Sequence, residues 1–159
     1  MSNDITLSEL SEFIAGFWYH YDEAHRDELA AAFAEDVRYI SRSDSGASPF
    51  EELMSPELTG RESVMEWMWQ HRQDSPYPLR HHGTNIHRTG TDGDTVRARF
   101  YIFVNQIANY VPFAVSSGVA NVAVRRGAKG LEFTEMEVIL DTTNSVNLSE
   151  LTADSAAGS

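Results

Sequence analysis

Tyr21-Asp22 closes an amphipathic stretch, and about sixty residues later Leu79-Arg-His-His-Gly-Thr-Asn85 opens a strand-like one. An acid at the end of a first helix and a histidine at the mouth of a later strand can meet over one pocket. Histidine's unperturbed pKa of about 6.5 suits proton transfer near neutrality, and a carboxylate can fix its tautomer. Such a pair needs neither metal nor cofactor, so the expected chemistry is proton transfer by side chains alone. The neighbouring phenol of Tyr21 is a third candidate group, able to polarise a substrate oxygen.

Other residues can serve the same pocket. Tyr39 and Ser41 alternate on one strand face and offer hydroxyls, while Asn105 and Gln106 end another strand and offer amides. Phe17 and Trp18 lie beside Tyr21 on the helix's apolar stripe and are candidates to line the pocket as well as to fill the core. Asp22 itself falls about 100 degrees around the helix from Tyr21, at the stripe's edge, where a carboxylate reaches a pocket mouth or simply stays in solvent. His81 and His82 are adjacent in a strand, so one faces the concave side and the other faces away. His82 stays among the substrate contacts because a one-residue change of register exchanges the two.

No metal site is expected. His81 and His82 cannot chelate one ion from the same regular strand, and His87 lies about 20 Å beyond His81 if the chain is extended. His20 and His25 on the first helix lack a partner at ligand spacing. Cysteine is absent, which removes thiol nucleophiles, disulfides and thiolate ligands together. No nucleophile elbow, phosphate loop or dinucleotide fingerprint is present.

The elements that must position these residues are legible in the pattern. Thr6-Leu-Ser-Glu9 is a capping box, and Leu10, Phe13, Ile14, Phe17, Trp18 and Tyr21 follow at helical spacing, so a helix is predicted over 7–25. A short second helix is predicted from Asp27 with Leu29, Ala32 and Phe33 inward, then a strand over 37–41. Residues 42–60 are rich in turn formers and long for a connector, which suggests a lid or a mobile surface loop. Thr59-Gly-Arg-Glu62 reads as a second capping box, opening a third helix through Val64, Trp67, Met68 and His71. Strands follow over 79–89, 95–105, 113–126 and 131–141, with hairpin turns at Asp92-Gly93 and over 127–130. Helices first and antiparallel strands afterwards define an α+β fold, with helices packed on one face of a curved sheet.

Size and charge narrow the partners. At 159 residues and 42% hydrophobic content the chain fits one domain, 1–141, followed by a polar tail over 142–159. A net charge of -12 repels phosphate backbones and anionic lipids, so neither nucleic acid nor membrane is an expected partner. The start of the chain is polar and acidic rather than signal-like, and a cytoplasmic location is the default expectation. Asn147-Leu-Ser149 matches a glycosylation acceptor but carries no weight without a leader.

The order of these elements, with Asp22 ahead of Phe33-Ala-Glu-Asp36 and His81-His-Gly-Thr-Asn85 ahead of an Asp-Gly hairpin, resembles the SnoaL-like group of the nuclear transport factor two superfamily. The resemblance spans roughly residues 7–141. It implies a cone: a curved, largely antiparallel sheet wrapped around a long N-terminal helix, with a pocket at the open end. Tyr21-Asp22 is similar to the Tyr-Asp of scytalone dehydratase, and Asp22 also to the aspartate of a hexachlorocyclohexane dehydrochlorinase. His81-His-Gly-Thr-Asn85 resembles the dehydrochlorinase segment that starts with its catalytic histidine, which makes His81 the base. Ketosteroid isomerase fits badly, since Phe17 and Ser41 stand at its tyrosine and aspartate positions. Scytalone dehydratase is matched incompletely, with Ser41 and Gln106 at its second tyrosine and second histidine. The resemblance thus implies a cofactor-independent lyase of the dehydratase type, acting on a small hydrophobic oxygenated ring compound. An isomerase or cyclase with the same pair, or a non-catalytic ligand-binding or scaffold subunit, are the alternatives. It also implies a homodimer or homotrimer formed through the sheet's outer face.

Overall fold

The computed structural model describes residues 4–49 and 51–151, so the predicted tail is seen only as far as 151. Helix α1 (Leu7–Asp22) starts at the expected capping box: Thr6 Oγ1 accepts from the Glu9 amide, and Glu9 reaches back to the Thr6 amide. It ends three residues earlier than the pattern suggested. Ala24 adopts a left-handed φ of 57°, and the amides of Ala24 and His25 turn back to the carbonyls of Tyr21 and His20. This is a Schellman ending without the usual glycine, so the sequence gives no stop signal there.

Helix α2 (Arg26–Ala31) is also shorter than predicted, because Phe33 begins strand β1 (Phe33–Ser43) instead of ending the helix. The Phe133 amide donates to the Ala32 carbonyl, and this parallel pairing captures the chain as strand. The region after β1 is pinned rather than loose. It holds a turn of 3-10 helix (Glu51–Leu53) and a two-residue strand β2 (Leu58–Thr59), and Ser48 and Ser55 are buried. The expected capping box of helix α3 (Arg61–Asp74) does not form. Thr59 is used by β2 in pairing with Arg38, and Gly60, at φ 94°, takes the cap position with its amide on the Val37 carbonyl.

Strands β3 (Leu79–Asp92), β4 (Thr95–Ala108), β5 (Val111–Gly127) and β6 (Gly130–Leu140) form three successive antiparallel pairs. The sheet order is β2-β1-β6-β5-β4-β3, with β1 and β6 the one parallel pair in it. The 127–130 turn falls where predicted, and the first turn sits one residue beyond the Asp92-Gly93 signal, at Gly93-Asp94, because Asp92 pairs with Thr95. A third turn, Asn109-Tyr110, was not singled out by the sequence pattern. Both of its residues have positive φ, 50° and 65°, the requirement of a type I′ turn. Tyr110 is fully exposed, so it contributes no packing in exchange for this conformation. Tyr110→Gly is therefore expected to raise stability by about 1 kcal/mol, read as a higher urea midpoint at unchanged slope.

The concave face of the sheet closes on α1. Val96, Ala98, Phe100, Ile102 and Val104 of β4 alternate inward and meet Leu10, Ile14, Phe17 and Trp18 in one core. Phe17 sits between Phe33 and Phe133, with ring centroids at 5.5 and 5.1 Å. β3 folds over the helix as the sheet's edge, bent by an irregularity between Thr84 and His87 where Asn85 has φ 55°. Gly83 allows this closeness, since an added Cβ would stand 3.1 Å from Ile14 and 3.2 Å from Trp18. After β6, Asp44 accepts from the amide and hydroxyl of Thr142, so the tail begins anchored, and residues 148–151 form one helical turn. No helix among the described residues is long and apolar enough to cross a membrane.

Candidate active site

The last turn of α1 and the first residues of β3 meet at Asp22. One carboxylate oxygen, Oδ2, accepts the backbone N–H of His81 at 2.8 Å, and the other, Oδ1, lies 2.6 Å from His81 Nδ1. Both side chains are nearly out of solvent, at 7% and 12% exposure. A carboxylate can only accept, so Nδ1 is the donor in this contact, and in the neutral ring that leaves the lone pair at Nε2. The imidazole is sandwiched on one side by Trp18, stacked 4.6 Å away at 6°, and met edge-on by Tyr21 at 5.1 Å. Trp18 Nε1 is buried without a hydrogen-bond partner among the described residues.

A carboxylate at a helix C-terminus opposes the helix dipole, and something must offset that. The offset comes from Arg72 on α3, which is buried. Its guanidinium donates to the carbonyls of Tyr21 and Asp22 at 2.7 to 3.2 Å, filling the acceptors that end α1. Sequence inspection gave no hint of this residue; its partners lie some fifty positions away.

Tyr21 points from the same helix turn toward α3. Its hydroxyl lies 2.7 Å from His71 Nδ1, and burial pushes the phenol well above its usual pKa, against the opposing pull of Arg72. Loss of water around the His71 ring lowers its pKa, and the nearby His81 lowers it further, although part of His71 stays in solvent. Trp67 stacks on His71 at 4.9 Å and packs on Tyr39 at 5.5 Å. His71 was predicted only as part of the inward stripe of α3; nothing in its spacing marks a link to Tyr21.

The remaining candidates divide between the two faces of the sheet. Tyr39 and Ser41 are buried on the inward face of β1; burial raises the Tyr39 phenol, and Tyr21 is close enough to add to that shift. Ser41 Oγ is occupied by the Ser55 amide at 2.7 Å, so the segment after β1 uses one of its acceptor sites. Gln106 pairs with Leu79 and so shares the face of His81, since directly opposed residues point the same way. His82 and Asn105 lie on the outer face, hydrogen-bonded to each other at 2.7 Å and remote from the Asp22 carboxylate. Phe17 is enclosed in the core. His20 and His25, which showed no common spacing, meet where the chain reverses after α1, Nδ1 to Nδ1 at 3.0 Å. Two open cavities of about 330 and 410 Å³ lie elsewhere, one beside Ile5 and Val96, the other against Tyr101, Phe103 and Asp141; neither is lined by Asp22 or His81. The Asp22–His81 pair and these surface depressions are separate features.

Such an arrangement defines a class: an α+β protein whose curved sheet encloses a helix that ends at a buried acid–imidazole pair. A profile of the SnoaL-like domain matches residues 6–137, and the chain belongs to that family. Solved structures agree on the fold. The β subunit of benzoate 1,2-dioxygenase from Burkholderia mallei is similar at 15% identity and TM-score 0.70, covering 92% of this chain and 98% of that one. ActVI-ORFA from Streptomyces coelicolor is similar at 19% identity and TM-score 0.69, covering 86% and 97%. A candidate scytalone dehydratase from Novosphingobium aromaticivorans is similar at 17% identity and TM-score 0.67, covering 89% and 88%. No curated protein matches the chain.

Proposed function

We propose that this protein is a cofactor-independent lyase of the dehydratase kind, acting on a small, hydrophobic, oxygenated ring compound. The observation that carries the reading is the double engagement of His81 by Asp22, backbone and ring together, in a nearly dry setting. In this reaction Nε2 of neutral His81 takes a proton from the carbon beside an activating carbonyl. Asp22 holds the tautomer and stabilises the imidazolium. Tyr21 or Tyr39 polarises the substrate oxygen, and the departing hydroxide leaves as water with a proton from the imidazolium or from a phenol. An isomerase or cyclase uses the same transfers without loss of water. The SnoaL-like membership and the likeness to a candidate scytalone dehydratase support the class of chemistry.

The test is a panel of cyclic aromatic β-hydroxyketones incubated in D₂O. Elimination is read as loss of water by mass spectrometry and as growth of conjugated-product absorbance. Isomerisation or cyclisation leaves the mass unchanged apart from deuterium at the acidic carbon. Panel members that bind yet show neither elimination nor deuterium uptake would overturn the enzyme reading.

A second reading, a scaffold subunit, is favoured by the likeness to two dioxygenase β subunits and by the apolar residues Tyr101, Phe103, Ile107, Phe113 and Val115 left exposed on β4 and β5. Either reading includes self-association through that outer face as a dimer or trimer. Light scattering is expected to give two or three chain masses at micromolar concentration; monomer alone up to millimolar removes this part of the proposal.

A further inference from the structure

Consecutive residues at the end of α1 send their polar groups to two different histidines. Asp22 engages His81 on β3; Tyr21 engages His71 on α3, hydroxyl to Nδ1 at 2.7 Å. The two arms differ in access to water. The His81 ring is nearly enclosed, whereas the Tyr21 phenol is buried and the His71 that holds it keeps part of its surface in solvent. Acid chemistry at a buried phenol needs a route by which the lost proton is replaced, and His71 stands on such a route.

We infer that His71 is a proton relay between solvent and Tyr21, making Tyr21 a rechargeable acid on the opposite arm from His81. The balance is complete with water as the only other participant. Tyr21 Oη gives its proton to a departing oxygen; the phenolate takes the Nδ1 proton of His71; Nε2 of His71 takes a proton from solvent, and the ring is neutral again in its other tautomer. Relaxation to the starting tautomer through solvent resets the arm. Surrounding groups suit this traffic. Arg72 lies with its guanidinium carbon 5.9 Å from the Tyr21 ring centre and favours the transient phenolate. Loss of water around the ring, then His81, disfavours a lasting positive charge on His71; Asp74 favours it, and Arg72 adds a smaller effect against it, so the net direction is toward the neutral ring. The other groups facing this pair are Asp22, the Tyr39 phenol and the Ser75 hydroxyl, which donates to the His71 carbonyl. The link to turnover rests on the lyase reading; the relay itself does not, and it is measured without substrate.

The test is exchange of the Tyr21 hydroxyl proton with water in the full chain, followed by the deuterium isotope shift at tyrosine Cζ in mixed H₂O/D₂O. His71→Asn keeps an amide near the Nδ1 position but cannot pass a proton, and exchange is expected to slow roughly a hundredfold, the lower end of what a positioned acid–base group contributes. A bond that merely joins α1 to α3 predicts the reverse, unchanged or faster exchange as the contact loosens, and that result overturns the relay. Should His71→Asn fail to fold, the unaltered protein decides: the exchange rate must follow the His71 titration seen by ¹⁵N shifts, and a flat rate across it overturns the inference. Slowed exchange in a protein that turns over no panel substrate leaves the relay standing and sinks the lyase reading alone.

Discussion

Asp22→Asn is expected to cut turnover about ten-thousandfold, the loss seen when the orienting acid of a serine-protease triad is changed in the same way. The reason lies in how the carboxylate is used. Asp22 accepts twice, from the His81 amide through Oδ2 and at the ring through Oδ1. An Asn has one acceptor and one donor for those two places. The backbone N–H can only donate, so the amide oxygen stays with it and the NH₂ faces Nδ1. Nδ1 must then accept, the ring hydrogen moves to Nε2, and the lone pair that would take the substrate proton is gone. His81→Gln is expected to lose as much, because it removes the base outright. His82→Ala changes the rate by no more than about twofold, since that ring hydrogen-bonds Asn105 on the far face. One consequence needs no substrate: ¹⁵N shifts of His81 should report hydrogen on Nδ1 in the unaltered protein and on Nε2 in Asp22→Asn. Hydrogen on Nε2 in both would contradict the assignment, and an active Asp22→Asn enzyme would remove Asp22 from the mechanism.

Periodicity carried the reading as far as local geometry reaches. The aromatic stripe of α1 and the two-residue alternation of β3 are one-dimensional patterns, and together with the family resemblance they pair Asp22 with His81; which of His81 and His82 faces inward depends on the strand register, and the structure puts His82 on the outer face beside Asn105. Signals failed where the chain departs from its preferred chemistry. Ala24 and Tyr110 hold left-handed positions that usually call for Gly or Asn, so one helix was drawn too long and one turn was not seen. Thr59-Gly-Arg-Glu62 has capping-box spelling, yet pairing with β1 claims Thr59 first. Asn105 looked like a pocket amide because strand ends open onto pockets; its register opposite Arg80 puts it outside. His71 and Arg72 escaped for a different reason. Their shortest contacts are to α1, and contacts between helices fifty residues apart leave no trace in the spacing of either helix.

Arg72→Leu tests the largest of those unread contacts, with an expected loss of about 3 to 4 kcal/mol of stability in urea unfolding. The guanidinium is buried and meets no carboxylate among the described residues; it donates instead to four backbone carbonyls, those of Tyr21, Asp22, Ser75 and Pro76. Leucine keeps much of the apolar contact with the neighbouring rings but leaves the Asp22 carbonyl buried without its donor and the Tyr21 carbonyl with the Ala24 amide alone. The unpaired Asp22 carbonyl costs about 1 to 3 kcal/mol and the lost charged contact to the Tyr21 carbonyl adds about 1.5 kcal/mol, so together they reach the effect, and the longer contacts at 3.4 Å add little. Arg72→Lys should recover only part of it, because a single ammonium cannot span the fork that reaches both helix-end carbonyls. The damage should also spread to the site. With the positive charge removed, the Asp22 carboxylate sits uncompensated at the negative end of α1, and its hold on His81 weakens. The His81 amide is therefore expected to exchange with solvent faster in Arg72→Leu even well below the unfolding midpoint. A stability loss under about 1 kcal/mol would mean that water replaces the guanidinium at those carbonyls, and α1 would then owe its end to the Schellman turn at Ala24 alone.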